Sequence, residues 1–126
     1  MNTPKDLFYT AEHEWLRFTD DTTAQVGITD FAQNALGDIV YVNLPAEGDA
    51  VAAGASFAEI ESVKAVSEVF CPVTGLVAAV NEALLDAPET LNADPYGAWL
   101  AEIRDISDRS ELLDAAAYEA LCQKEA

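Results

Sequence analysis

Lys64 is the residue on which chemistry can be built. The basic side chains are Lys5, Arg17, Lys64, Arg104, Arg109 and Lys124, and between Arg17 and Arg104 only Lys64 is basic, among fourteen acids from Asp20 to Glu102. A lysine left alone in such a stretch is either incidental or chemically required. A free ammonium titrates at about 10.4 and is a poor nucleophile at neutral pH. Use as a Schiff-base lysine would need desolvation to lower that value. Enzymatic acylation needs the opposite, a protruding lysine on a long stem that a modifying enzyme can reach. Position alone also allows a bland role, a turn or edge lysine that discourages unwanted strand pairing.

The elements around it sharpen the choice. Lys64 lies thirteen residues after Val51 and thirteen before Val77, and the segments Val51-Ala52-Ala53 and Val77-Ala78-Ala79 are similar. Two like strand–turn segments about one lysine predict a quasi-twofold β unit with the lysine at the tip of the connecting hairpin. Ser56–Glu61 leads in and Val66–Phe70 leads out, both mixing β-branched or aromatic residues with polar ones, as half-buried strands do. The tip, Ser62-Val63-Lys64-Ala65, has no Asn-Gly or Asp-Gly pair to define its turn type.

The flanking chain reads as mainly β. Glu14–Phe18 and Thr23–Ile28 predict a hairpin turning at Asp20-Asp21, with Trp15 and Phe18 as core or cleft wall. Asp30 to Gly37 predicts a short helix with Asp30 as N-cap, Gln33 at capping-box spacing and Gly37 as terminator. Asp38–Asn43 alternates as a strand, 81–86 predicts a helical turn, 88–97 a loop, and Trp99–Arg104 a last strand. From Asp108, with Glu111 at capping-box spacing, Leu112, Leu113, Ala116, Ala117, Ala120 and Leu121 recur with helical period. The expectation is one domain over 1–126, with a core at about 7–105 and a C-terminal helical segment at about 108–123.

Composition removes whole classes of function. A hydrophobic fraction of 51% argues against disorder. A net charge of −17 disfavours nucleic acid and anionic membranes and favours steering toward basic protein surfaces. There is no apolar run of about twenty residues for a membrane span. Met1–Asp6 has no apolar signal core and no transit-peptide character, which points to the cytoplasm. Cys71 and Cys122 read as free thiols rather than a disulfide framework. No phosphate loop, no Cys/His metal spacing and no supported catalytic triad is present, so neither a metal nor catalysis by the chain itself is expected.

Several motifs together resemble the H protein of the glycine cleavage system. They are Tyr9–Trp15, Val26–Gln33, Leu36–Val40, Glu61-Ser62-Val63-Lys64-Ala65 and Asn92–Gly97, in family order from about residue 7 to residue 121. The resemblance implies a barrel-sandwich hybrid of two small antiparallel sheets, lipoyl/biotinyl-like, with short peripheral helices and a C-terminal helical segment. It also implies lipoate in amide linkage at Lys64, recognised through Glu61, Ser62, Val63 and Ala65. Such a protein is a non-catalytic carrier whose cofactor supplies the chemistry. The implied partners are a pyridoxal-phosphate glycine decarboxylase, a tetrahydrofolate-dependent aminomethyltransferase, a flavin-containing dihydrolipoyl dehydrogenase, and a lipoyl ligase or octanoyltransferase. A monomer is expected. The alternative is an H-like protein that relays lipoate to other lipoyl domains.

The resemblance further implies a cleft that shelters the loaded arm, bordered by Glu12, His13, Glu14 and Phe31. A carboxylate there would hold the arm's ammonium in a charge-assisted hydrogen bond. Phe31 stands where some relatives carry a polar ring. The segment Tyr96-Gly97-Ala98-Trp99 is one residue shorter than the family pattern, which leaves that loop's shape open. A lipoyl domain of a 2-oxo acid dehydrogenase would be shorter and usually fused to an acyltransferase. A biotin carrier would flank its lysine with methionines, and Met1 is the only methionine here.

Overall fold

The N-terminal alternation becomes an antiparallel ladder. In the computed structural model, which describes residues 2–125, β1 (Phe8–Tyr9), β2 (Glu14–Asp20) and β3 (Thr23–Ile28) pair in order, with Trp15 opposite Gly27 and Leu16 opposite Val26. Successive side chains face opposite sides of a strand, so Leu16 and Trp15 enter different cores. Gly27 lies flat under the Trp15 indole, where a Cβ would fall 2.5 Å from Cε2. Trp15 is fully buried and donates its Nε1–H to the Pro95 carbonyl at 3.0 Å, the core role expected of it.

α1 (Asp30–Leu36) is capped by Thr29, not by Asp30. The Thr29 hydroxyl accepts the Ala32 amide at 3.2 Å, while Asp30 sits in the first turn and accepts Gln33 Nε2 at 2.7 Å. The extended backbone at Thr29 suits a cap, and the Asp30 charge suits the helix N-terminus. Gly37 ends the helix at φ 78°, the left-handed conformation that favours glycine.

The other strands are β4 (Ile39–Asn43), β5 (Ala50–Val51), β6 (Ser56–Ser62), β7 (Val66–Phe70), β8 (Val73–Val80) and β9 (Ala101–Arg109). They complete a six-stranded sheet, β1-β2-β3-β9-β8-β5, and a three-stranded sheet, β4-β6-β7, all pairs antiparallel. This is the expected sandwich of two antiparallel sheets. The two similar segments lie side by side: Val51 pairs with Gly75, and Val77 exchanges bonds with the 48–49 turn, donating to Asp49 O at 2.9 Å and accepting from Gly48 N at 2.8 Å. The β6–β7 hairpin lies between them in sequence and belongs to the other sheet.

Two short helices, α2 (Ala83–Asp86) and α3 (Thr90–Ala93), fill the 81–97 stretch, so the segment read as loop from 88 contains a helical turn. The 94–98 loop closes on itself, with Gly97 and Ala98 amides both donating to Asp94 O at 3.2 and 2.9 Å.

The C-terminal boundaries differ from the sequence reading. Asp108 pairs with Thr74, so its backbone is committed to the ladder and β9 runs on to Arg109. Leu113 then exchanges two backbone bonds with Tyr9 at 2.7 and 2.8 Å. The helix, α4 (Ala115–Glu125), starts only after Asp114, whose side chain accepts the Ala117 amide at 2.8 Å. Its buried stripe is Ala115, Tyr118 and Cys122, not Ala116, Ala117 and Ala120, which are exposed. Alanines are too small to decide which face a helix buries. Tyr118 decides it, stacking on Tyr9 at 4.6 Å over the Trp15 face of the large sheet. Both cysteines are free and buried.

Candidate functional site

Ser62 builds the hairpin tip. Its amide donates to Ala65 O at 2.8 Å, and its hydroxyl oxygen accepts the amides of Lys64 at 3.3 Å and Ala65 at 3.1 Å. Val63 N donates to Asp38 O at 3.0 Å, tying the tip to the start of β4. Every amide of the four-residue tip is therefore satisfied without a dedicated turn dipeptide. The serine hydroxyl supplies the turn chemistry that the absence of Asn-Gly left open.

Lys64 projects from this platform exposed, between Val63 and Ala65, which are also exposed. Val63 is 68% and Val66 62% accessible, so the lysine stands in an apolar collar. Its stem rests beside Gly37, where Cε lies 3.4 Å and Nζ 3.9 Å from the position a Cβ would take. Among the described residues no carboxylate is within ion-pair distance of the ammonium. Glu61, half-buried, pairs with Val66 across the hairpin and with Tyr41 on β4, which fixes it next to the platform.

At the opposite end of the same hairpin lies a cleft of about 380 Å³, lined by Thr10, Glu12, Glu14, Phe70, Cys71 and Glu111 among others. Thr10 organises its wall. The Thr10 hydroxyl donates to Glu14 Oε1 at 2.6 Å, and its oxygen accepts the Glu12 and Glu14 amides at 3.3 and 3.2 Å. Glu14 is only 3% accessible. Burial pushes its carboxyl up to about 7; the Thr10 hydroxyl and the Phe70 backbone pull it down, and the Glu12 charge adds to the rise. Burial also pushes the Cys71 thiol up to about 11, with Glu14 contributing. Cys71 is thus a neutral wall residue and not a nucleophile.

His13 and Phe31 do not line this cleft. His13 has φ 69°, which turns its side chain away from those of Glu12 and Glu14. Its ring stacks on Phe31 at 4.4 Å, Nδ1 meets the Tyr118 hydroxyl at 2.7 Å, and Nε2 meets Glu125 at 3.1 Å. The structure thus divides the four residues grouped on sequence into an acid pair at the cleft and an aromatic pair under α4.

The family described as glycine cleavage H-protein matches residues 7–125 of this sequence. The chain belongs to that family. A glycine cleavage system H protein of Lachnoclostridium phytofermentans is 56% identical to it over 125 residues, covering 99% of this chain and 98% of the relative. One from Nocardia farcinica is 55% identical over 125 residues, covering 93% and 94%. The fold agrees with a crystal structure of a glycine cleavage system H protein from Mycobacterium marinum, with a TM-score of 0.90 at 42% identity over 98% of this chain and 99% of that one.

Proposed function

We propose that this protein carries lipoate in amide linkage at Lys64 and serves the glycine cleavage system as its mobile carrier. The observation that carries the reading is the lysine itself, exposed and unpaired on a hairpin tip held by Ser62. A lysine so placed has lost no solvation and blocks no core packing when it is acylated. When attached, the lipoyl group supplies the dithiolane that accepts and releases an aminomethyl group. Everything else falls to the chain: it presents the arm, gives partner enzymes an acidic surface to find, and keeps water from the cargo.

The partners in this reading are the glycine decarboxylase, the aminomethyltransferase, the dihydrolipoyl dehydrogenase and the lipoyl ligase or octanoyltransferase, met by a monomer in the cytoplasm. The carrier catalyses none of their steps. Tethering holds the cargo at high effective concentration as it passes between them.

The cleft at Glu12 and Glu14 receives the loaded arm. Phe70 lies six residues along β7 from Lys64, a span of roughly 20 Å at about 3.3 Å per residue. An extended lysine–lipoyl arm of about a dozen bonds reaches roughly 15 Å, so when the arm lies flat along the hairpin its loaded end comes within about 5 Å of Phe70 at the cleft wall. There an arriving ammonium would favour ionised Glu14, the form that burial disfavours in the empty cleft.

Turnover tests the reading. Lipoylated protein with the three partner enzymes, glycine, tetrahydrofolate and NAD should generate NADH in proportion to carrier. Lipoylation without NADH formation would overturn it in favour of a relay of lipoate to other domains. The tip gives a second expectation. Ser62→Ala removes the acceptor for two amides, about 1 kcal/mol or roughly a fivefold change in tip order, and lipoyl ligase should modify that variant about fivefold more slowly, measured by mass spectrometry against time.

A further inference from the structure

The turn that carries the cleft acids holds a residue that does not suit its backbone. Tyr9 and Trp15 are register partners, His13 N donates to Thr10 O at 3.2 Å, and Thr10 N donates to Glu14 O at 3.0 Å. This is a type I turn followed by a left-handed bulge residue, a place for glycine or asparagine. The bulge residue here is His13, at φ 69°. A side chain in that conformation costs about 1 kcal/mol or more, although histidine is among those that adopt it most often, and contacts elsewhere offset that cost.

The contacts of His13 supply that compensation, and each goes to an element outside the turn. Its ring stacks on Phe31 of α1 with 15° between planes. Nδ1 engages the hydroxyl of Tyr118 on α4, which in turn engages Thr29 Oγ1, the α1 cap, at 2.6 Å. Nε2 engages Glu125 in the last turn of α4. Its carbonyl accepts the Thr29 amide at 3.1 Å. The turn is thereby clamped to both helices by its bulge residue. The residues on either side, Glu12 and Glu14, face the other way and line the cleft.

We infer that His13 is a positioning residue: clamped between Phe31 and Tyr118, it fixes the turn so that Glu12 and Glu14 present their carboxyls to the cleft that receives the arm. The inference rests on the cleft reading given above, and its test separates the two. A loop anchored by His13 keeps Glu14 packed against Thr10 and Phe70. Without the imidazole the turn keeps its allowed backbone and the Thr29 amide bond but loses its ties to Phe31, Tyr118 and Glu125, and Glu14 moves toward solvent.

The decisive variants are His13→Gly and His13→Asn, both at ease with positive φ, together with Tyr118→Phe, which removes one clamp contact without touching the turn. The first readout is the carboxyl 13C titration of Glu14 in unlipoylated protein. His13→Gly and His13→Asn should lower its midpoint by a unit or more from about 7, and Tyr118→Phe by less, with unfolding curves confirming that each variant is folded. The second is sheltering of the cargo. Protein loaded by the decarboxylase and glycine, then freed of enzyme, loses its aminomethyl group to water as formaldehyde and ammonia, returning the thiol. Ammonia release should speed up fivefold or more in His13→Gly and in Glu14→Gln. An unchanged Glu14 midpoint in folded His13→Gly overturns the positioning role. Faster release from Glu14→Gln but not from His13→Gly overturns it too, while leaving the cleft reading standing. Unchanged release from both variants removes the cleft reading itself.

Discussion

Lys64→Arg abolishes the glycine-dependent exchange of bicarbonate that the decarboxylase carries out with this carrier, and leaves the fold intact. Arginine keeps the charge, the length and the exposure of the side chain. Its guanidinium stays protonated and offers no amine for amide formation. Lys64 is exposed, makes no ion pair among the described residues and rests only its stem beside Gly37, so the substitution should shift stability by no more than about 0.5 kcal/mol. The measurement is label exchange between bicarbonate and the glycine carboxyl, with thermal unfolding alongside. Retained exchange would mean that the protein serves the decarboxylase without its arm.

Glu14→Gln makes the protein more stable at alkaline pH and leaves it nearly unchanged near pH 4. Glu14 titrates at about 7 in the fold against 4.5 in the open chain. A carboxyl whose folded value is raised is one the native state prefers to keep protonated. Its contribution is intact below about pH 4.5 and is lost as pH rises through 7. Between those limits a shift of this size amounts to about 3 kcal/mol. Glutamine keeps the shape, still accepts the Thr10 hydroxyl and never ionises. Urea unfolding of both proteins from pH 4 to 9 should therefore diverge, with the variant gaining up to about 3 kcal/mol at pH 8. Parallel curves across that range would mean that Glu14 is solvated. A buried carboxyl next to Glu12 destabilises the empty carrier, and under the proposed function a cation entering the cleft offsets that cost.

The strand pattern around Lys64 was legible because it rests on local alternation and on a repeat. The lead-in and lead-out strands and the tip follow from residues within about fifteen positions of the lysine, while the direct pairing of the two similar segments came only from the fold. The first hairpin was legible for the same reason. What the sequence hid depended on distant partners. Asp108 and Glu111 carry a good capping pattern, yet β8 captures Asp108 in a ladder and the helix waits for Asp114. Thr29 takes the cap from Asp30 because the chain arrives extended at Thr29.

The site divides in the same way. The Glu61–Ala65 motif singles out Lys64, and in place of a turn dipeptide the tip is held by the Ser62 hydroxyl, whose presence in the motif was visible but whose bonding was not. Thr10, Phe70 and Cys71 were missed as cleft wall because nothing local links residue 10 to residue 70. The family resemblance grouped His13 with Glu12 and Glu14 on one cleft border. One positive φ at His13 separates them, and no periodicity reports a single dihedral.

The central claim is a covalent bond at one atom, and mass spectrometry reads it directly. Incubation with lipoyl ligase, ATP and lipoate, followed by intact mass and peptide mapping, should show one lipoyl adduct on the peptide containing Lys64 and none on Lys64→Ala. An adduct of undiminished yield on Lys64→Ala would contradict the account.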